Sequence, residues 1–172
     1  MADKELTCAG EIHHLTVGVT NMDKSLRFYC EGLGLRKTLD TIVEGDRFEL
    51  MLRMPVGSSA RTVFLQGPSR LGQIELVEWR GSGPQVAAPR RAGMPGYCVV
   101  SFNVSKEDMP AICAQLETVG ADFWTEPLVS HLDGYGDILA FIAEDPDGNM
   151  IEIVALPGAE EIARERAALK NN

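Results

Sequence analysis

Two glutamates and one histidine stand in runs that otherwise read as apolar strand. Glu152 interrupts Met150-Ile151-Glu152-Ile153-Val154, Glu75 interrupts Ile74-Glu75-Leu76-Val77, and His14 opens His14-Leu15-Thr16-Val17-Gly18. An unpaired carboxylate buried in such a run costs several kcal/mol or is driven to protonate. Strand alternation sorts these side chains onto two faces. Leu15, Val17 and Val19, Ile74 and Leu76, and Val100, Phe102 and Val104 fall on an apolar face. His14, Glu75 and Glu152 fall on the other, with the small or polar Thr16, Gly18, Ser101 and Asn103. If each sheet curls with its helices outside, that second face lines a cup. Two carboxylates at close range repel and raise one pKa, a conflict that a divalent cation removes. Imidazole with carboxylates suits Zn²⁺, Mn²⁺, Fe²⁺, Co²⁺ or Ni²⁺. The plainer alternative leaves each acid half exposed at the cup edge, or paired with an arginine such as Arg61.

The elements that must position these residues repeat. In the first half a strand over 11–19 leads to a helix capped by Thr20 or Asn21, with Leu26, Phe28, Tyr29 and Leu33 on its apolar side. Strands near 36–44, 61–66 and 73–79 follow, with a short helix over 46–54 stopped by Pro55. Residues 81–96, rich in Gly, Pro and Ala, read as a linker. The pattern then begins again: a strand over 99–104, and a helix capped by Ser105 with Asp108 at the capping-box position. Strands near 122–130, 138–143 and 149–155 complete it, the last entered through the Pro146-Asp147-Gly148 turn. Val19 aligns with Val104, Gly34 with Gly120 and Glu75 with Glu152, the offset shrinking because only the first half carries the 46–54 helix. The fold expected is α+β: two tandem βαβββ modules (11–80 and 97–156) forming open, cupped mixed sheets, and a helical tail over 157–172.

Composition narrows the partners. A chain of 172 residues with 45% hydrophobic and 24% charged residues suits a globular protein. Its net charge of −9 argues against nucleic acid or an anionic membrane as partner. No apolar run approaches the ~20 residues of a membrane span. Met1-Ala2-Asp3-Lys4-Glu5 lacks the apolar core of a signal peptide. Cys8, Cys30, Cys98 and Cys113 are far apart and form no Cys-x-x-Cys pair, which favours reduced thiols and a cytoplasmic location.

Ile12-His13-His14-Leu15 through Phe28-Tyr29, then Ile74-Glu75-Leu76, and Asp145-Pro146-Asp147-Gly148-Asn149-Met150-Ile151-Glu152 resemble the vicinal oxygen chelate superfamily. That group includes glyoxalase I, methylmalonyl-CoA epimerase, extradiol dioxygenases, and fosfomycin and bleomycin resistance proteins. The resemblance covers about 11–155 and implies paired βαβββ modules cupped around one metal ion, completed by homodimerisation. Members similar to glyoxalase and the epimerase take ligands from the first and last strand of each module. Carried over, these are His14, Glu75 and Glu152. The fourth position falls on Val99 where a histidine is expected, which departs from the dioxygenase pattern and from a simple glyoxalase I assignment.

The resemblance implies an isomerase, epimerase or lyase acting on a small carbonyl-bearing substrate through an enolate-like or oxyanion intermediate. Glu75, Glu152 or His131 would move the proton. His131 lies in a polar, Gly-bearing stretch, 130–137, that reads as a loop. Trp79, Tyr135, Ser101 and Asn103 are the candidate substrate contacts. By parity His13 faces away from the cup, and the segment 51–54 walls the pocket or packs in an interface. Two rivals stay open: a metal-free protein that sequesters a small molecule, and a metal-independent enzyme on the same fold.

Overall fold

The computed structural model describes residues 11–80 and 96–170, with the side chain of residue 170 excepted. The segment 81–95, most of the expected linker, and Cys8 lie outside the described residues. In the first half, β1 (His14–Gly18) is followed by α1 (Met22–Leu26), which continues as a π-helical turn over Arg27–Gly32. Next come β2 (Arg36–Glu44), α2 (Asp46–Leu52), β3 (Ser59–Gln66) and β4 (Gln73–Arg80). The second half has β5 (Val99–Asn103), α3 (Met109–Thr118), β6 (Asp122–Phe123), β7 (Leu128–Leu132), β8 (Gly136–Glu144), β9 (Met150–Ala155) and α4 (Ala159–Lys170).

Both halves build an open mixed sheet in which the first strand lies parallel to the last. The first sheet runs β1-β4-β3-β2, the second β5-β9-β8-β6 with β7 also on β8. The long strand expected over 122–130 is broken in two, because Pro127 offers no N–H to the ladder. Asp108 N donates to Ser105 Oγ at 3.0 Å as a capping box requires, but the return bond joins the two side chains, Ser105 Oγ to Asp108 Oδ2 at 2.7 Å. Helix α3 nevertheless starts later, at Met109, with Pro110 in its first turn, where a missing N–H does no harm.

The described residues divide into two compact units. One contains 11–22 and 34–80; the other contains 23–33 and 96–170. The π-helical turn that follows β1 in sequence therefore belongs with the second unit, not with the first module as its place in the chain implies. It docks on α3: a Cβ at Gly32 would lie 2.9 Å from Leu116, and Gln115 Nε2 donates to Gly32 O at 3.1 Å. The π turn, closed by Leu33 N to Phe28 O at 3.1 Å, buries the adjacent Phe28 and Tyr29 together.

Tyr29 reaches the end of β8. Its hydroxyl donates to Asp145 Oδ2 at 2.9 Å, and Asp145 also accepts from Asp147 N (3.0 Å), Asn149 N (2.9 Å) and Asn149 Nδ2 (3.0 and 3.1 Å). The Asp145-Pro146-Asp147-Gly148-Asn149 segment is thus a turn wrapped around a buried, fully engaged carboxylate. Burial first, then the charge of Asp145, pushes the Tyr29 hydroxyl well above its ordinary pKa.

The apolar faces are buried as alternation requires. Val17, Val63, Leu65, Ile74 and Leu76 lie at 9% exposure or less in the first unit, and Phe141, Ala143, Ile151 and Ile153 at 2% or less in the second.

Candidate functional site

Register fixes which side chains share a face. In the first unit Thr16 opposes Glu75 across the parallel β1·β4 pair, and Phe64 opposes Glu75 across β3·β4. His14, two residues before Thr16, lies on this same face and packs edge-on against Phe64 (ring centroids 5.3 Å apart). Its Nε2 lies 3.4 Å from Glu75 Oε2, and Thr16 Oγ1 donates to the same oxygen at 2.5 Å. In the second unit Ser101 opposes Glu152 across β5·β9, and Ser101 Oγ donates to Glu152 Oε2 at 2.5 Å. Each half therefore holds one half-buried glutamate by a hydroxyl from the neighbouring parallel strand. The halves differ at one point: Val99, 42% exposed, occupies the place that His14 has in the first unit.

Arg61 does not serve Glu75. It stands on the opposite face and grips Asp40 through two bonds, Nε to Oδ1 at 3.0 Å and Nη2 to Oδ2 at 2.9 Å. Arg61, with Lys37, holds the Asp40 carboxyl well below the ordinary carboxylate range.

His13 has its ring beside His14 rather than turned away (Nδ1 to Nδ1, 2.8 Å). Strand alternation does not reach it, since β1 begins only at His14. His131 lies on β7, not in a loop, opposite Asp137 of β8. Glu152 opposes Ile142, and the unbroken β7·β8·β9 register then puts His131 on the other face of that sheet from Glu152. His131 Nδ1 is 2.8 Å from Asp137 Oδ1, and Nε2 is 3.8 Å from both Asp133 and Glu165. The Asp137 bond, with Glu165 and Asp133 nearby, raises its pKa above 6.5. The β7–β8 connection is a tight hairpin because Gly134 and Gly136 accept positive φ there.

Among the candidate substrate contacts, Ser101 and Asn103 share the Glu152 face. Tyr135 is half-buried in the hairpin turn, with its N–H donated to Leu132 O at 2.9 Å. Trp79 shares the Glu75 face, where Phe48 of α2 stacks on it (5.9 Å, 25°) over Ala60, Val77 and Val43. Helix α2 thus covers part of the face that carries Glu75, against the expectation that every helix would lie outside. The exposed Leu50, Met51 and Val56 belong to α2 and its following turn, which Glu49 closes by accepting Gly57 N at 2.6 Å. Trp124 donates to Glu144 Oε1 at 2.7 Å. A hollow of about 370 Å³ in the second unit, between Lys24, Arg27 and Phe28 and the acids Asp122 and Glu144, includes none of the expected site residues.

A divalent ion bound at ~2.1 Å by two ligands of a tetrahedron separates them by roughly 3.4 Å. The His14–Glu75 nitrogen-to-oxygen distance matches that edge, so the pair fits two corners of a metal site. Among the described residues no group of three or more His, Cys, Asp or Glu side chains is placed to hold an ion. Thr16 and Phe64, which support the pair, carried a sequence signal only in their shared strand parity.

The family model described as "Glyoxalase/Bleomycin resistance protein/Dioxygenase superfamily" matches residues 11–153. A lactoylglutathione lyase from Schizosaccharomyces pombe is 29% identical over 149 residues, 84% of this chain and 47% of that protein, so the chain spans about half its length. Among solved structures, a glyoxalase family protein from Bacillus cereus superposes with a TM-score of 0.70 at 21% identity, covering 92% of this chain and 99% of that one. A fosfomycin resistance protein from Mesorhizobium loti gives 0.54 at 13% identity, covering 93% and 100%.

Proposed function

Because the chain belongs to the Glyoxalase/Bleomycin resistance protein/Dioxygenase superfamily, the vicinal oxygen chelate group, we propose that it is a metal-assisted isomerase, epimerase or lyase acting on a small carbonyl compound. Membership supports lyase- or isomerase-type chemistry, and the lyase relative, of which this chain spans about half, points the same way. The metal-assisted reading rests on the His14–Glu75 pair, 3.4 Å apart and braced by Thr16.

In this proposal His14 and Glu75 are two ligands of one divalent ion, and Glu152 is the matching carboxylate of the second unit. When bound, such an ion supplies Lewis-acid polarisation of a carbonyl oxygen. The asymmetry at Val99 suggests how the acids divide the work. Glu75, shared with His14, stays a ligand; Glu152, with Ser101 as its partner and no histidine beside it, takes up and returns the substrate proton. Ser101 orients that carboxylate. His131 is given no proton-transfer role, since its ring lies on the opposite sheet face and is held by Asp137. A homodimer belongs to the same proposal, favoured by the exposed apolar residues of α2. Light scattering at micromolar concentration tests it, and a monomer mass contradicts it.

The metal-free rival draws on Val99 and on the lack of a three-donor group among the described residues. Turnover of a small α-ketoaldehyde, with and without chelator, separates the readings. Activity lost with chelator and restored by one divalent ion supports the proposal; activity or tight binding indifferent to chelation supports the rival.

A further inference from the structure

The face of the first unit that carries Glu75 has two unlike ends. At one, His14, Thr16 and Glu75 form a polar cluster with Phe64 behind it. At the other, Trp79 is pinned flat by Phe48. Glu75 and Trp79 are four residues apart on β4, about 13 Å at the strand rise of ~3.3 Å per residue. Between them the floor is Gly18, exposed and without a side chain, where an added Cβ would sit 3.7 Å from Trp79 Nε1. The indole N–H therefore overlooks an open strip of β1, held by the Phe48 stack rather than free to rotate away.

Charge on these faces is equally specific. Among the described residues, the strand positions sharing the Glu75 face carry one cation, Arg36 on the outermost strand opposite Gln66. Those sharing the Glu152 face in the second sheet carry none. A substrate with carboxylates meets no guanidinium or ammonium on these inner strands, and the overall charge of −9 opposes its approach.

From these observations we infer that the cup accepts an uncharged carbonyl compound with an apolar or aromatic body, and that Trp79 sets this preference. Its ring packs along the body while its N–H donates to an oxygen on the substrate. An anionic conjugate is disfavoured, since among the described residues the inner strands of these faces offer it no cation. This rests on the proposed function for the placing of the carbonyl at the Glu75 end, and the test reads binding separately from turnover.

The probes are 1-phenylpropane-1,2-dione and the same dione with a para-carboxylate on its ring, so that charge is varied away from the carbonyl end. Their dissociation constants are measured by ligand-observed NMR on the full chain, once with chelator and once with Mn²⁺. The neutral dione should bind at least tenfold more tightly than its carboxylate. Trp79→Ala should weaken it about tenfold and Trp79→Phe about threefold. Gly18→Val, a change at an exposed strand position, should also weaken it about tenfold by filling the strip. Equal or tighter binding of the carboxylate, no binding of either probe, or dissociation constants unmoved by both Gly18→Val and Trp79→Ala overturns the inference. Neutral-probe binding that persists without turnover keeps this inference and rejects the isomerase reading instead.

Discussion

Removing the Asp145 carboxylate should unfasten the second unit from inside. Asp145 is 4% exposed and accepts from the Tyr29 hydroxyl, two backbone N–H groups and the Asn149 amide. Bonds to a charged acceptor contribute about 1.5–3 kcal/mol each, and a buried donor left unsatisfied costs about 1–3 kcal/mol. These terms overlap within one network, so Asp145→Ala should cost about 3–5 kcal/mol rather than their sum. Tyr29→Phe removes one donor and keeps the ring packing against Phe28, for about 1.5–2 kcal/mol. With a urea slope near 2 kcal/mol/M, Tyr29→Phe alone moves the midpoint down by roughly 1 M. In the Asp145→Ala background the same change should move it by less than ~0.3 M, because the hydroxyl has already lost its acceptor. Equal effects of Tyr29→Phe in both backgrounds, or a loss below ~1 kcal/mol for Asp145→Ala, would refute this account of the turn.

The same bond sets an alkaline limit. The Tyr29 pKa is raised in the folded state, so its contribution is complete below the unfolded value of 10.0 and is lost as pH rises through the higher folded value. Tyr29→Phe should therefore flatten the fall in stability above about pH 10, followed by denaturant titration. His131 behaves alike at lower pH. Its bond to Asp137 and its ion pair with Glu165 tie the β7–β8 hairpin to α4 most firmly below pH 6.5 and loosen as pH climbs through its raised pKa. Hydrogen exchange in α4 should accelerate across that interval, and His131→Gln should abolish the dependence. Gly134→Ala strains a φ of +73° and drives a methyl to 2.7 Å from Leu169, so α4 protection should fall in that variant at every pH. Thr16→Val removes the brace on Glu75 and should weaken divalent-ion affinity about tenfold, whereas Ser101→Ala should slow turnover with affinity nearly unchanged.

Much of this was readable in the chain. Alternation around Glu75 and Glu152 is two-valued, so once strands were assigned the faces followed, and the register pairs Thr16 with Glu75 as it pairs Ser101 with Glu152. The doubled βαβββ pattern was legible because the repeats keep their caps and turn glycines. What escaped depends on contacts far apart in sequence. Tyr29 and Asp145 are 116 positions apart, and periodicity says only that Tyr29 is buried, not what its hydroxyl meets. The union of the π-helical turn with the second unit is hidden for the same reason. Only the end of β7 reads as loop, because Ser130, His131 and Asp133 are polar and Gly134 and Gly136 signal a turn, whereas 128–130 belongs to the expected strand. Helix α2 is only seven residues long, too short for its apolar stripe to reveal which sheet face Phe48 would cover.

Whether His14 and Glu75 together grip one divalent ion is decided by calorimetric titration of Mn²⁺ or Zn²⁺ into chelator-stripped protein. One ion should bind per chain, with affinity reduced at least a hundredfold in His14→Ala and in Glu75→Gln. No binding to the native chain, or binding that neither substitution alters, would contradict it.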